Sequence, residues 1–477
     1  MRNLSLLTDL YEFSMANGFQ HDLPDTQATF DVFFRNVPDD GSFVITAGLQ
    51  QVIEALRNFK FSDSDLDYLQ KLDIWDQQFI DYLANFKLNC QIKAIAEGTP
   101  VFPRESMLTV TGPIAQAQLL ETIVLNILNH QSLIATKSRR LTYAANGRPI
   151  MEFGARRAQG PDSAIYGTRA AIIGGAKSTS NVLAAKKFGI PAAGTMAHSW
   201  IEAFPDELTS FRKWAERYPD NSALLVDTYD VLNSGVPNAI TVFKELHQNG
   251  HEPVGIRIDS GDVTALSRQA RKMLDEAGFP KAKITISNAL DERIITSLLQ
   301  QGAPIDNFGI GEKLITSASA PVLSGVYKLA AIEQYGQIYP KIKVSASREK
   351  LTIPGRKQVY RLYHAGTKQA FADLIALDTE DIVNSSKLSV FNSNPLRVNQ
   401  DHQLTDYDAE PLLQSVSLNV TPDDSVQSIQ KFSQTKLAEL PQATQRLINP
   451  DNYPVYMTAA LNKLQTELLN QDTSVTD

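Results

Sequence analysis

Short apolar runs alternate with helix-length amphipathic stretches through the middle of the chain. The runs are Pro149–Phe153, Ile190–Thr195, Ala223–Asp227, Val254–Asp259, Ile284–Asn288 and Asn307–Gly311, and helical periodicity occupies 168–188, 201–217, 237–249, 263–277 and 291–301. Six strand–helix units in series predict a parallel sheet. Their spacing of roughly 25 to 40 residues favours a barrel, irregular in places, over an open sheet.

The flanking regions read differently. Leu6, Leu7, Leu10, Tyr11, Phe13 and Met15 follow a helical period, and Ala28–Arg35 is an aromatic-rich alternating strand that ends on an arginine. Helices are expected over 43–88, short strands over 91–112, and helix again from Ala115 to Leu128. After about residue 340 the alternation stops. Lys341–Arg361 carries seven basic residues with Pro354 and Gly355 and reads as a hairpin or exposed loop; 405–467 is Leu- and Gln-rich and helical in places; Gln471–Asp477 is expected to be disordered. The predicted fold is an irregular α/β barrel over 131–340. With it goes an α+β domain from the N-terminal part, 1–130, and the C-terminal part, 341–477, which packs with it.

Composition adds limits. A chain of 477 residues exceeds one simple core, and 43% hydrophobic with 21% charged residues describes an ordinary globular protein. The formal net charge of -8 repels nucleic acid and anionic membrane, so an anionic ligand needs a local cluster of cations. The single cysteine, Cys90, excludes an internal disulfide and reads as a small buried apolar group. Met1–Asp9 has too few apolar residues for a signal peptide and no run approaches a membrane span, so a soluble cytoplasmic protein is expected.

Each middle strand ends in polar or flexible residues: Glu152 with Arg156 and Arg157, Thr195 and His198, Asp227 with Thr228 and Asp230, Arg257 with Asp259 and Asp262, Ser287 and Asn288, Gly309 and Gly311. A barrel gathers these ends on one rim, where its active sites form. Arg257 and Asp259 share a strand face and are either a structural ion pair or ligand groups. The turn Ser260-Gly261-Asp262 fits a diol or hydrated Mg²⁺, although Asp262 fits equally as a helix cap. Gly309-Ile310-Gly311 lets backbone N–H groups approach a phosphate. His198 requires a partner to hold one tautomer, and Asp227 at the adjacent strand end is the natural candidate. No spacing suggests a zinc site.

With these residues assembled, the chain resembles the nicotinate phosphoribosyltransferases. The similar stretches run in order: Leu7–Tyr11, Phe33-Phe34-Arg35, Glu152–Arg157, Ser180–Ala184, Gly194–Ser199, Val226–Tyr229, Arg257–Asp262, Ser287-Asn288, Gly309–Gly311 and Gly325–Leu329. The resemblance implies transfer of a phosphoribosyl group from 5-phosphoribosyl 1-diphosphate to nicotinate, coupled to ATP hydrolysis through a phosphohistidine at His198, in NAD synthesis. It implies that Tyr11 and Phe153 sandwich the pyridine ring, with Tyr11 supplied by the second subunit of a homodimer. It places Arg257 and Thr195 on nicotinate, Arg35 and Arg156 on the anionic substrates, Asp259 on ribose or Mg²⁺, and Gly309–Gly311 on the 5-phosphate.

Mg²⁺ is expected with ATP and 5-phosphoribosyl 1-diphosphate, and no tightly bound organic cofactor. Ser180 stands where nicotinamide-using relatives carry an aspartate, which favours the acid as substrate. Glu312 departs from the threonine common after the second glycine, so its side chain is expected to turn away while its N–H binds phosphate. The other readings carried forward are a nicotinamide phosphoribosyltransferase and a non-catalytic sensor of NAD precursors.

Overall fold

The computed structural model describes residues 3–345, 347–398, 400–419 and 424–473. Positions 1 and 2, and 474–477 of the tail expected to be disordered, lie outside these; residues 471–473 of that tail are instead the last turn of the helix Ala459–Thr473. The chain forms two compact units: Met1–Leu133 with Val322–Asp424 and Lys431–Asp477, and Ile134–Pro321 with Ser425–Gln430.

The second unit is built on six parallel strands: β1 (Ile150–Glu152), β2 (Ser178–Thr179), β3 (Ala223–Leu225), β4 (Gly255–Ile258), β5 (Lys283–Asn288) and β6 (Asn307–Ile310). Their order is β2-β1-β6-β5-β4-β3, a circular sequence open only between β2 and β3. Parallel strands buried on both faces need continuous apolar runs. Leu224, Leu225, Ile256, Ile258, Ile284, Ile286, Phe308 and Ile310 supply them, each 1% exposed or less. Helices Val236–Gln248, Val263–Glu276 and Glu292–Gln300 return the chain between strands, close to their predicted bounds.

Two expectations are corrected. The helix predicted over 168–188 is two helices, Pro161–Ile173 and Val182–Phe188, separated by β2. Gly174 caps the first of them, and no larger residue fits there, since a Cβ would lie 2.1 Å from the Ala135 carbonyl oxygen. The strand predicted over Ile190–Thr195 shrinks to one parallel bridge, Thr179 to Ala192. Pro191 has no N–H to donate, and Pro191, Ala192 and Gly194 are exposed rather than buried.

In the first unit, an antiparallel sheet runs in the order Gln337–Pro340, Gly325–Gln334, Gln27–Phe34, Leu108–Pro113, Gln91–Ile95, Leu413–Val416. The N-terminal and C-terminal parts of the chain thus share one sheet. Phe30 stacks on Tyr327 across it, with ring centroids 4.8 Å apart. Gly112 packs on Cys90, whose thiol burial pushes up to about 12, away from the reactive thiolate form. A second six-stranded sheet is built around Lys357–His364 and Ala370–Leu377.

The basic segment Lys341–Arg361 is only partly the exposed loop expected of it. Lys357 is buried against Asp31 at 2.7 Å, and Arg361 is fully buried against Asp373 at 2.7 Å. Buried charges of this kind are kept by pairing.

Candidate active site

The carboxyl ends of β1, β4, β5 and β6, with the segments after β2 and β3, carry the polar groups of the second unit. Arg257, on β4, is the hub. Its Nε donates to Ser287 Oγ at 2.7 Å, its Nη1 to Thr195 Oγ1 at 2.8 Å and the Met196 carbonyl at 3.2 Å, and its Nη2 to Asp259 Oδ1 at 3.4 Å. Ser287 Oγ also donates to Asp259 Oδ1 at 2.5 Å. Alternate residues of one strand put Arg257 and Asp259 on the same side, and the neighbouring strand adds Ser287 beside them.

His198 opens the short helix His198–Glu202. Its Nδ1 lies 3.0 Å from Thr228 Oγ1, and its Nε2 lies 4.0 Å from Asp259 Oδ2. The expected contact with Asp227 is not made. Asp227 Oδ2 instead accepts from the Asp259 N–H at 3.0 Å and from Ser260 Oγ at 2.6 Å, and Oδ1 is buried without a hydrogen-bond partner. Consecutive residues of an extended segment point to opposite sides, so the imidazole meets Thr228 while Asp227 braces the exit of β4. Thr228, grouped with Asp227 at this strand end by the sequence, is the hydrogen-bonded neighbour of His198 in place of the aspartate chosen.

Phe153 leaves β1 and its ring lies over Gly309 of β6. A Cβ at Gly309 would sit 2.5 Å from Phe153 Cε2. Gly154 and Gly311 allow a second close approach, since a Cβ on Gly154 would lie 2.8 Å from the Gly311 carbonyl oxygen. Glu152, fully buried, fixes this corner: it accepts from the Gly154 N–H, from Thr168 Oγ1 at 2.9 Å and from Thr179 Oγ1 at 2.7 Å. Burial raises its carboxyl above the usual range while these three donors oppose the rise. Glu152 is therefore a structural tie beneath Phe153.

The remaining residues fall into place as follows. Ser180 is exposed just past β2 and its N–H donates to the Glu152 carbonyl at 3.0 Å. Arg156 is exposed in the turn Ala155–Arg157. Glu312 turns to Arg157, 3.8 Å away. Asp262 caps the helix Val263–Glu276 by accepting from the Ala265 N–H at 3.1 Å, and Asp230 caps the turn after β3 in the same way. Tyr11 and Arg35 belong to the first unit: Tyr11 is 46% exposed on the helix Leu10–Asp22, and Arg35 is half-buried, its guanidinium 5.5 Å from the Phe33 ring centroid. Among the described residues no group of three or more His, Cys, Asp or Glu is placed to hold a metal, and no helix is long and apolar enough to cross a membrane.

Family models for nicotinate phosphoribosyltransferase match along the chain: the N-terminal domain over residues 6–129, the family proper over 149–347 and the C-terminal domain over 356–465. The nicotinate phosphoribosyltransferase of Bacillus subtilis (strain 168) is 42% identical over 469 residues, which cover 97% of this chain and 95% of that protein. The chain belongs to the nicotinate phosphoribosyltransferase family. Its human member is 31% identical over 97% of this chain and 96% of its own length. The crystal structure of human nicotinic acid phosphoribosyltransferase superposes with a TM-score of 0.83 and 28% identity, covering 97% of this chain and 100% of that one. Membership in this phosphoribosyltransferase family agrees with the resemblance carried by the strand-end motifs.

The Phe153–Gly309 contact yields a prediction. Gly309→Ala is expected to leave the fold intact, because the clashing atom is the far end of a side chain, at a cost within the ~1–3 kcal/mol of overpacking. The displaced ring raises KM for an aromatic substrate several-fold with little change in unfolding temperature. Steady-state kinetics and thermal unfolding of the variant check both.

Proposed function

We propose that the protein transfers the 5-phosphoribosyl group of 5-phosphoribosyl 1-diphosphate to nicotinate, forming nicotinate mononucleotide and diphosphate, with ATP hydrolysis coupled through His198. The observation that carries this reading is the chain of contacts from Thr195 through Arg257 to Asp259 and His198 on one rim, in a member of this family.

In the proposed reaction the ring lies on Phe153 and its carboxylate pairs with Arg257, an orientation that leaves the ring nitrogen free to attack C1 of the ribose. The N–C1 bond forms as the C1–O bond to diphosphate breaks, and the electron pair leaves with diphosphate. Thr228 Oγ1 accepts from Nδ1–H of His198, so the lone pair stays on Nε2, which takes the terminal phosphoryl group of ATP. The phosphorylated ring then loses its phosphoryl group to water. Asp227 is the positioning residue that holds the Asp259–Ser260 turn.

Asp259 Oδ1 takes the bonds from Arg257 and Ser287, Oδ2 faces His198 Nε2 at 4.0 Å with no hydrogen bond among the described residues, and one carboxylate plus substrate phosphates suits Mg²⁺. Asp259 would hold the ion, which supplies charge neutralisation on the departing diphosphate. Arg35 and Arg156 serve anionic groups of the substrates, Gly309–Gly311 with the Glu312 N–H serves the 5-phosphate, and Ser180 favours the acid over the amide. The family's shared-site homodimer is proposed as well, supported by the exposed apolar set Leu7, Leu10, Tyr11 and Met15.

The test is product formation from nicotinate, 5-phosphoribosyl 1-diphosphate and Mg²⁺, with and without ATP. Nicotinate mononucleotide is expected, formed faster with ATP, and kcat/KM for nicotinate is expected to exceed that for nicotinamide. Absence of the mononucleotide would sink the proposal. Equal use of nicotinamide would remove Ser180 from the specificity argument.

A further inference from the structure

The imidazole of His198 and its hydroxyl partner Thr228 come from two segments of the second unit, the helix His198–Glu202 and the turn that leaves β3. A 3.0 Å contact between residues 30 apart is only as well set as the two segments are fixed against each other. The helix Glu207–Arg217 touches both. On the histidine side, the Trp200 indole N–H donates to the Ser210 carbonyl of that helix at 3.2 Å. The Trp200 ring meets Trp214 edge-on, with centroids 5.3 Å apart and planes at 75°, and Phe204 closes on the same indole at 4.9 Å. Edge-to-face contacts fix the orientation of a ring as well as covering it.

On the threonine side, Glu207 opens the same helix and is buried. Its Oε2 accepts from Ser234 Oγ at 2.5 Å and from the Asn238 amide at 2.9 Å. Ser234 belongs to the wide turn Val231–Gly235, which Asp230 caps by accepting from the N–H groups of Leu232 and Asn233. Gly235 packs that turn back onto the exit of β3, where a Cβ would lie 1.9 Å from the Val226 carbonyl oxygen. Thr228 is thus held between two fixed points, Val226 and Asp230. A buried carboxylate adds little net stability, so Glu207 contributes direction more than strength.

We infer that Trp200 and Glu207 are positioning residues for His198: through one helix they hold the imidazole and Thr228 in register, so that Nδ1 keeps its proton and Nε2 its lone pair. The effect on rate rests on the reading of His198 as the phosphoryl acceptor; the effect on the proton does not.

Trp200→Phe and Glu207→Leu test it in the full chain. The first keeps an aromatic ring and removes the N–H, and the second fills the space without an acceptor. Glu207→Gln, which keeps both size and an acceptor oxygen, is the conservative control. Long-range proton–nitrogen NMR spectra of isotope-labelled histidines, taken where the imidazole is neutral, report which ring nitrogen carries the proton. The wild type is expected to show the Nδ1–H form at His198, assigned by its absence in His198→Ala. Trp200→Phe and Glu207→Leu shift it toward Nε2–H, and Glu207→Gln does not. ATP hydrolysis is expected to fall about tenfold in the two shifted variants, inside the ~10²-fold that a misplacement of about 1 Å can cost. Nicotinate KM, ATP-independent transfer and the unfolding temperature stay near those of the wild type. An unchanged tautomer in both variants would overturn the inference whatever the rates, and so would a loss of rate shared by nicotinate KM and ATP-independent transfer. ATP-stimulated mononucleotide formation with unchanged tautomers would leave the transferase reading standing and this one refuted. Shifted tautomers in a protein that hydrolyses no ATP would do the reverse.

Discussion

His198→Ala is expected to lose ATP hydrolysis by at least ~10³-fold, the scale of removing an active-site nucleophile, while a slower ATP-independent transfer remains. The expectation follows from the separation of roles on the rim. The groups proposed to hold the pyridine are Phe153 and Arg257, and neither depends on the imidazole: Phe153 rests on Gly309 and Arg257 is held by Ser287, Thr195, Met196 and Asp259. Nε2 faces Asp259 at 4.0 Å and Nδ1 is taken by Thr228, so deleting the ring removes the proposed phosphoryl acceptor without dismantling the pocket. Parallel assays of phosphate release and mononucleotide formation, each with and without ATP, read the split. ATP stimulation as strong as in the wild type would show that His198 carries no phosphoryl group. Thr228→Val gives the finer comparison: it keeps the ring but removes its hydroxyl partner, so the rate of ATP hydrolysis should fall while nicotinate KM does not change.

The parallel strands were legible because burial on both faces demands uninterrupted apolar runs, and Val254–Asp259 and Ile284–Asn288 match β4 and β5 within one residue at each end. The edge next to the opening was not. β2 is only Ser178–Thr179, two polar residues with no apolar signature, and both are buried. Thr179 is there because its hydroxyl satisfies buried Glu152, a partnership between residues 27 apart that no local pattern reveals. Ile190–Thr195 misled for the opposite reason: its apolar residues resemble a core strand, but Pro191 cannot complete a ladder and the segment stays on the surface.

The site was legible to the same depth. Alternation along a strand was enough to pair Arg257 with Asp259, and the glycines at 309 and 311 marked close approach, although the atoms approaching Gly309 are those of Phe153. The choice between Asp227 and Thr228 as the neighbour of His198 turned on which side of one extended segment faces the imidazole. That depends on the path of residues 194–198 after the bridge at Ala192, a tertiary fact. Asp262 and Asp230, attractive as ligands because they are acidic and near strand ends, are spent as helix caps.

Arg257→Ala is expected to raise KM for nicotinate roughly 10- to 150-fold, which is the ~1.5–3 kcal/mol of a charge-assisted hydrogen bond. It should also lower kcat, because the side chain is more than a carboxylate anchor. Without it Thr195 Oγ1 and the Met196 carbonyl lose their donor, the segment leading to His198 is released, and Asp259 keeps only Ser287 and the distant imidazole. Two comparisons separate these effects. Arg257→Lys restores the charge but not the fork that reaches Ser287, Thr195 and Asp259 at once, so it should recover part of the KM loss and little of kcat. With nicotinamide, which has no carboxylate, the substitution to alanine should cost kcat but change KM only slightly, so preference for the acid collapses. A nicotinate KM unchanged in Arg257→Ala would place the carboxylate elsewhere and leave Arg257 as a structural tie among β4, β5 and the Thr195 segment.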